Sequence, residues 1–104
     1  MDIKAAADGL GLDEDEFSEI VELFIDTAQS DINKLQEGFE NGDAEKAANA
    51  AHSLKGASGT LGFMEISDIA KQAEEDAKNN DLDKVADSVA KLNAHFQQLV
   101  SEFT

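Results

Sequence analysis

The sequence predicts an all-α fold: an antiparallel up-down-up-down four-helix bundle preceded by a short N-terminal helix or arm. Three observations predict it. The chain lacks proline, tryptophan and tyrosine and draws its apolar residues mainly from Leu, Ile, Val, Ala and Phe, which suits helices better than sheets. Apolar residues recur in steps of three and four through four long segments, the period of an amphipathic helix. The segments are separated by only a few residues, and short connections between long helices make antiparallel neighbours. A chain of 104 residues fits one domain over 1–104.

The elements follow in order. The first twelve residues, ending Gly9-Leu10-Gly11-Leu12, form the short helix or arm. Asp13 is a good N-cap, and Glu14, Asp15 and Glu16 place negative charge in the first turn, where the helix dipole favours it. The stripe of this first long helix is Phe17, Ile20, Val21, Phe24, Ile25, Ala28, Ile32, Leu35 and Phe39, and it stops at Asn41-Gly42. Asp43 caps the second, whose stripe is Ala44, Ala47, Ala48, Ala51, Leu54 and Leu61, with Gly62 as the residue just past its end. The third carries Ile66, Ile69, Ala70, Ala73 and Ala77 and ends at Asn79-Asn80. The fourth carries Leu82, Val85, Val89, Leu92, Phe96, Leu99, Val100 and Phe103. The alanines of the second and third helices permit close approach, and the first and fourth supply bulk.

Charge and composition narrow the function. The net charge is −15, which leaves no basic stripe for nucleic acid or an anionic membrane. There is no cysteine, so disulfides and thiolate metal sites are excluded. No apolar run is long enough to span a membrane, and Met1-Asp2-Ile3-Lys4 does not open a signal peptide. These features predict a cytoplasmic protein. With no large exposed apolar face expected, it should be a monomer, and the initiating Met and complete bundle point to a free-standing chain.

One stretch departs from the pattern: Ala50-Ala51-His52-Ser53-Leu54-Lys55-Gly56-Ala57-Ser58-Gly59-Thr60-Leu61-Gly62-Phe63. At about 100° per residue, Lys55 lies about 60° to one side of His52, Gly56 about 40° to the other, and Gly59 nearly in line. One imidazole, one ammonium and two bare backbone positions therefore share a strip, while Ala51, Leu54 and Leu61 point away from it. Each glycine inside a helix costs about 1 kcal/mol relative to alanine. Tight packing against a neighbouring helix is one reason to accept that cost. Open access for a partner is the other, and it suits glycines that flank a histidine rather than the apolar seam. A neutral imidazole is a competent nucleophile near neutral pH, and a phosphoryl group on it brings close to two negative charges that Lys55 can partly neutralise. Residues 44–64 carry a net +1 against −16 for the remainder, so this patch is the least anionic part of the chain.

The run His52-Ser53-Leu54-Lys55-Gly56-Ala57-Ser58-Gly59-Thr60-Leu61-Gly62-Phe63 resembles the signature of the histidine phosphotransfer (HPt) family. In that family a histidine is followed by lysine at the third position and glycine at the fourth, with a small residue at the seventh and glycine beyond. Ile69 to Ala77, including Ala73-Glu74-Glu75, resembles the family's next helix, and the similarity runs from about Asp13 to Phe103. The resemblance implies a four-helix bundle with phosphorylated His52 exposed on the second long helix. It implies that His52 accepts a phosphoryl group from a receiver-domain aspartyl phosphate, or from a kinase domain, and passes it to another receiver aspartate. Response-regulator receiver domains and a hybrid sensor histidine kinase would be the partners. The receiver would supply Mg²⁺ and the acidic pocket, so the chain needs no cofactor or metal of its own. No nucleotide-binding loop is present in the sequence, so autokinase activity is not expected. Whether such a carrier counts as an enzyme is a matter of definition.

His95, beside Leu92 and Leu99, reads as a residue at the edge of the core. No His-x-x-x-His or histidine–carboxylate spacing supports pairing it with His52 around a metal. Two other classes fit the composition. An acyl carrier protein would use Ser88 in Asp87-Ser88-Val89, but that lies inside a helical stripe with no long loop before it. A pure interaction bundle would leave the His-Lys-Gly-Gly strip unexplained. No acidic cluster has EF-hand spacing.

Overall fold

A computed structural model of the protein describes residues 3–103; residues 1, 2 and 104 of the expected domain span lie outside it. The order is α1 (Ile3–Gly9), α2 (Glu14–Glu40), α3 (Ala44–Thr60), α4 (Met64–Lys78) and α5 (Leu82–Phe103). α2 packs on α3, α3 on α4, α4 on α5, and α5 closes back on α2, while α1 lies on α2. This is the expected up-down-up-down bundle, with the short N-terminal segment as a helix. Its extents are 42 × 21 × 17 Å; the long axis matches the roughly 40 Å of a 27-residue helix.

The helix ends explain why the chain turns where it does. Asp13 and Glu16 form a reciprocal capping box: the Glu16 amide donates to Asp13 Oδ1 at 2.7 Å, and the Asp13 amide donates to Glu16 Oε1 at 3.3 Å. Three connections then repeat one design. Gly42, Gly62 and Asn80 adopt left-handed φ of 69°, 81° and 58°. The residue after each, Asp43, Phe63 or Asp81, donates its amide back to the carbonyl of Gly38, Ser58 or Asp76 at 2.7–2.9 Å. This is the Schellman closure. Asp43, Phe63 and Asp81 each accept the first bond of the next helix on their own carbonyl, so three residues both end one helix and start another.

One continuous cluster forms the core. α2 and α5 fill it with Phe17, Val21, Ile32, Leu35, Leu92 and Phe96, whereas α3 and α4 bring mainly Ala47, Ala51, Ala70, Ala73 and Ala77. With such small side chains α3 and α4 make the most extensive pairing in the molecule. Phe17, Phe24, Phe63 and Phe103 meet at one end, their rings 5.2–6.4 Å apart.

Two stripe assignments change. Ile20 is 38% exposed; it lies about 90° from the centre of the α2 stripe, on its flank. Leu61 is the C-cap of α3 rather than part of its helical face, and it is only half-buried. Gly38 is a buried position the pattern did not flag: a Cβ there would come within 2.9 Å of Ala47. It is the point at which α2 and α3 touch backbone to backbone.

Candidate functional site

His52 sits mid-way along α3, between buried Ala51 and Leu54. Those neighbours turn its side chain outward, where it is 69% exposed. Lys55, one turn on, is half-buried and stands on the flank that meets α4. The two glycines differ. At Gly56 a Cβ would meet nothing within 4 Å; at Gly59 it would lie 3.3 Å from Ser67 Oγ on α4. Gly56 is thus the open position beside His52, and Gly59 stands where α3 and α4 come together.

α4 supplies a residue that the sequence reading passed over as a helper. Glu74, with a side chain only 6% exposed, accepts from Lys55 Nζ on Oε1 at 2.7 Å. Its Oε2 lies 2.8 Å from His52 Nδ1 and 3.4 Å from Lys78 Nζ. Three basic groups from two helices therefore converge on one buried carboxylate. The Lys55 hydrogen bond, working against burial and aided by His52 and Lys78, holds the Glu74 carboxyl down at about 2. It stays ionised over the working range. The patch counted as weakly basic in sequence is thus built over an embedded negative charge.

The backbone beneath the site is tied as well. Ser67 donates to the Lys55 carbonyl at 3.1 Å, and buried Ser58 donates to the Leu54 carbonyl at 2.6 Å. On the other flank Ser53 donates to Asp31 Oδ2 of α2 at 2.9 Å. Burial pushes the Asp31 carboxyl up, with the Ser53 hydrogen bond and Lys34 opposing it. α3 is therefore pinned by a polar bond on each side of His52.

His95 lies apart from this cluster. Its Nδ1 is 3.1 Å from Glu65 Oε2, a carboxylate that is 81% exposed. It lines a shallow groove with Phe63, Ile66 and Leu99, in keeping with a place at the edge of the core. Ser88 is buried within α5, an unsuitable place for a prosthetic arm. Among the described residues no group of three or more His, Cys, Asp or Glu could hold a metal ion. None of the described helices is long and apolar enough to cross a membrane.

Comparison with known proteins adds one finding. The family model of the Hpt domain matches residues 19–102, nearly all of the four long helices. No match was found among curated proteins or among solved structures. An exposed histidine on the second long helix of an all-α bundle, and a family match across most of its length, lead to one assignment: the chain belongs to the Hpt, or histidine phosphotransfer, domain family.

Proposed function

We propose that His52 is the phosphorylated residue of this Hpt domain. It takes a phosphoryl group from a receiver-domain aspartyl phosphate, or from a hybrid sensor histidine kinase, and delivers it to a second receiver aspartate. Hpt domains act in histidine phosphotransfer within phosphorelays; the observation that carries the assignment to His52 is its exposed ring in the Lys55–Glu74–Lys78 network. Gly56 keeps the approach to that ring open, and a receiver domain docks across its backbone, with Gly59, set against Ser67, at the α4 edge of the docked face. Lys55 and Lys78 partly neutralise the incoming phosphoryl charge. The receiver brings Mg²⁺ and the catalytic acids, so this chain contributes a nucleophile and a docking face. The setting is a cytoplasmic two-component relay.

Incubation with a phosphorylated receiver domain tests this. An acid-labile, base-stable mass increment should appear on His52. His52→Gln should abolish acceptance with the helical fold retained, and His95→Gln should transfer at a near-normal rate. An active His52→Gln together with a dead His95→Gln would reverse the assignment.

A further inference from the structure

The chain holds six asparagines, and only Asn41 precedes a glycine. An asparagine side chain is open to attack by the main-chain nitrogen of the next residue, so the bonding of that nitrogen decides how readily it reacts. Asn33, Asn49 and Asn93 lie inside α2, α3 and α5, where the next amide is tied into the helix. After Asn79, the Asn80 amide donates to the Ala77 carbonyl at 2.9 Å; after Asn80, the Asp81 amide donates to the Asp76 carbonyl at 2.8 Å. Asn41 is the exception. It is the exposed C-cap of α2, and among the described residues neither its side-chain amide nor the Gly42 N–H makes a hydrogen bond. At the matching turn the Gly62 amide is held by the Gly59 carbonyl at 3.1 Å. Gly42 has open space where a Cβ would stand, so no side chain shields its nitrogen.

We propose that Asn41–Gly42 is a modification site, at which the chain converts itself through a succinimide to isoaspartate and so loosens the α2–α3 hairpin. The Gly42 nitrogen gives up its proton to solvent and forms a bond to the side-chain carbonyl carbon of Asn41. The carbon–nitrogen bond of the side-chain amide breaks, and ammonia leaves with that electron pair and a proton from water. Water then adds to one carbonyl of the five-membered imide and breaks one of its two C–N bonds. Opening on one side restores the original main chain with aspartate. Opening on the other sends the main chain through the former side chain and lengthens it by one methylene. Closing the ring requires the Asn41 ψ, 2° in the cap, to swing the Gly42 nitrogen toward the side chain. Only the end of α2 must open for that, by releasing the Asn41 amide from Glu37 and the Asp43 amide from Gly38, a local opening at a helix terminus. The added methylene falls inside the 2.7 Å closure from Asp43 to Gly38. That closure stands beside the point where Gly38 meets Ala47 with no room for a Cβ, so the lengthened connector cannot restore both contacts.

The test holds the full chain warm at mildly alkaline pH in ¹⁸O-labelled water and maps its peptides over time by mass spectrometry, with fragmentation that separates isoaspartate from aspartate. Asn41 should convert about tenfold faster or more than any other asparagine, the factor set by a barrier difference the size of one hydrogen bond. Each converted chain should take up labelled oxygen at position 41, with isoaspartate among the products. The aged chain should melt several degrees lower, the scale of a modest loss of stability in a domain of this size. Two variants separate the causes. Asn41→Gln, which would have to close a six-membered ring, should keep its melting temperature through the same treatment. Asn41→Asp gains the charge without the methylene and should melt near the unaged chain. An Asn41 that stays intact while other asparagines convert, or that converts no faster than Asn80, would overturn the site. Conversion to isoaspartate with an unchanged melting temperature would overturn the loosening of the hairpin.

Discussion

The α3–α4 seam and the α2–α5 seam hold one bundle together by different means. α3 and α4 approach through alanines and carry buried polar groups, Ser58, Ser67 and Glu74, each with hydrogen-bond partners. α2 and α5 meet with large side chains, and Phe17 stacks obliquely on Phe103 with ring centroids 5.9 Å apart. Small residues leave room for a polar network between two backbones; large ones exclude water and supply the transfer free energy of folding. The chemistry is built on one side of the molecule and most of the bulk on the other.

Breaking the bulky seam should have the largest effect. Phe17 is fully buried and touches Phe63 and Phe103, so Phe17→Ala should cost about 3–5 kcal/mol in urea unfolding. Phosphate acceptance by the folded fraction should be unchanged. A parallel loss of acceptance would mean that the two seams do not act separately.

Acid probes the polar seam. The Glu74 carboxyl is depressed from 4.5 to about 2. Its contribution is therefore fully present above about pH 4.5 and is lost as pH falls through about 2, a change on the order of 3 kcal/mol. Asp31 works in the opposite sense: burial raises its carboxyl, so its contribution grows as pH falls and offsets part of the loss. Unfolding measured from neutral pH down to pH 2 should show the net decline. Lys55→Ala, which removes the main cause of the Glu74 depression, should flatten it. An acid limb unaltered by Lys55→Ala would place the sensitivity elsewhere.

The glycines give the smallest and most local comparison. Gly38→Ala would drive a methyl to within 2.9 Å of Ala47 and should cost about 1–3 kcal/mol. Gly56→Ala meets open space and should stabilise by up to about 1 kcal/mol. Melting temperatures of the two variants should move in opposite directions; a shared direction would contradict the assignment of one as a packing point and the other as an open face.

Much of this was legible in the sequence because it is local. Asp13 and Asp43 as caps, Gly62 as the helix terminator, and the four stripes depend on neighbours within a turn or two along the chain. So does the outward strip of His52, Lys55 and Gly56. Glu74 was not legible in the same way. It lies about 80° from the centre of the α4 apolar stripe, where an acid ordinarily reads as solvated. Its burial and its partners His52 and Lys55 depend on how α4 is rotated against α3, which no spacing within α4 encodes; only Lys78, one turn on, is a local partner. Gly38 escaped for the same reason: its meaning lies in the Ala47 backbone on another helix. Gly59, read beside Gly56 as open, stands against Ser67 because the face they share is wide enough for α4 to shade one edge of it.

The repeated three-residue connector also has a kinetic consequence. It makes α2–α3, α3–α4 and α4–α5 into hairpins whose contacts are close along the chain, and low average sequence separation speeds folding. The α2–α5 seam has no such tie. Phe17 and Phe103 must find each other across almost the whole chain, at the greatest loop-closure entropy in the fold. The helices bearing His52 and Glu74 are thus joined by a local turn and can pair early, whereas the ring of helices is sealed at its aromatic end, by the first long helix and the last.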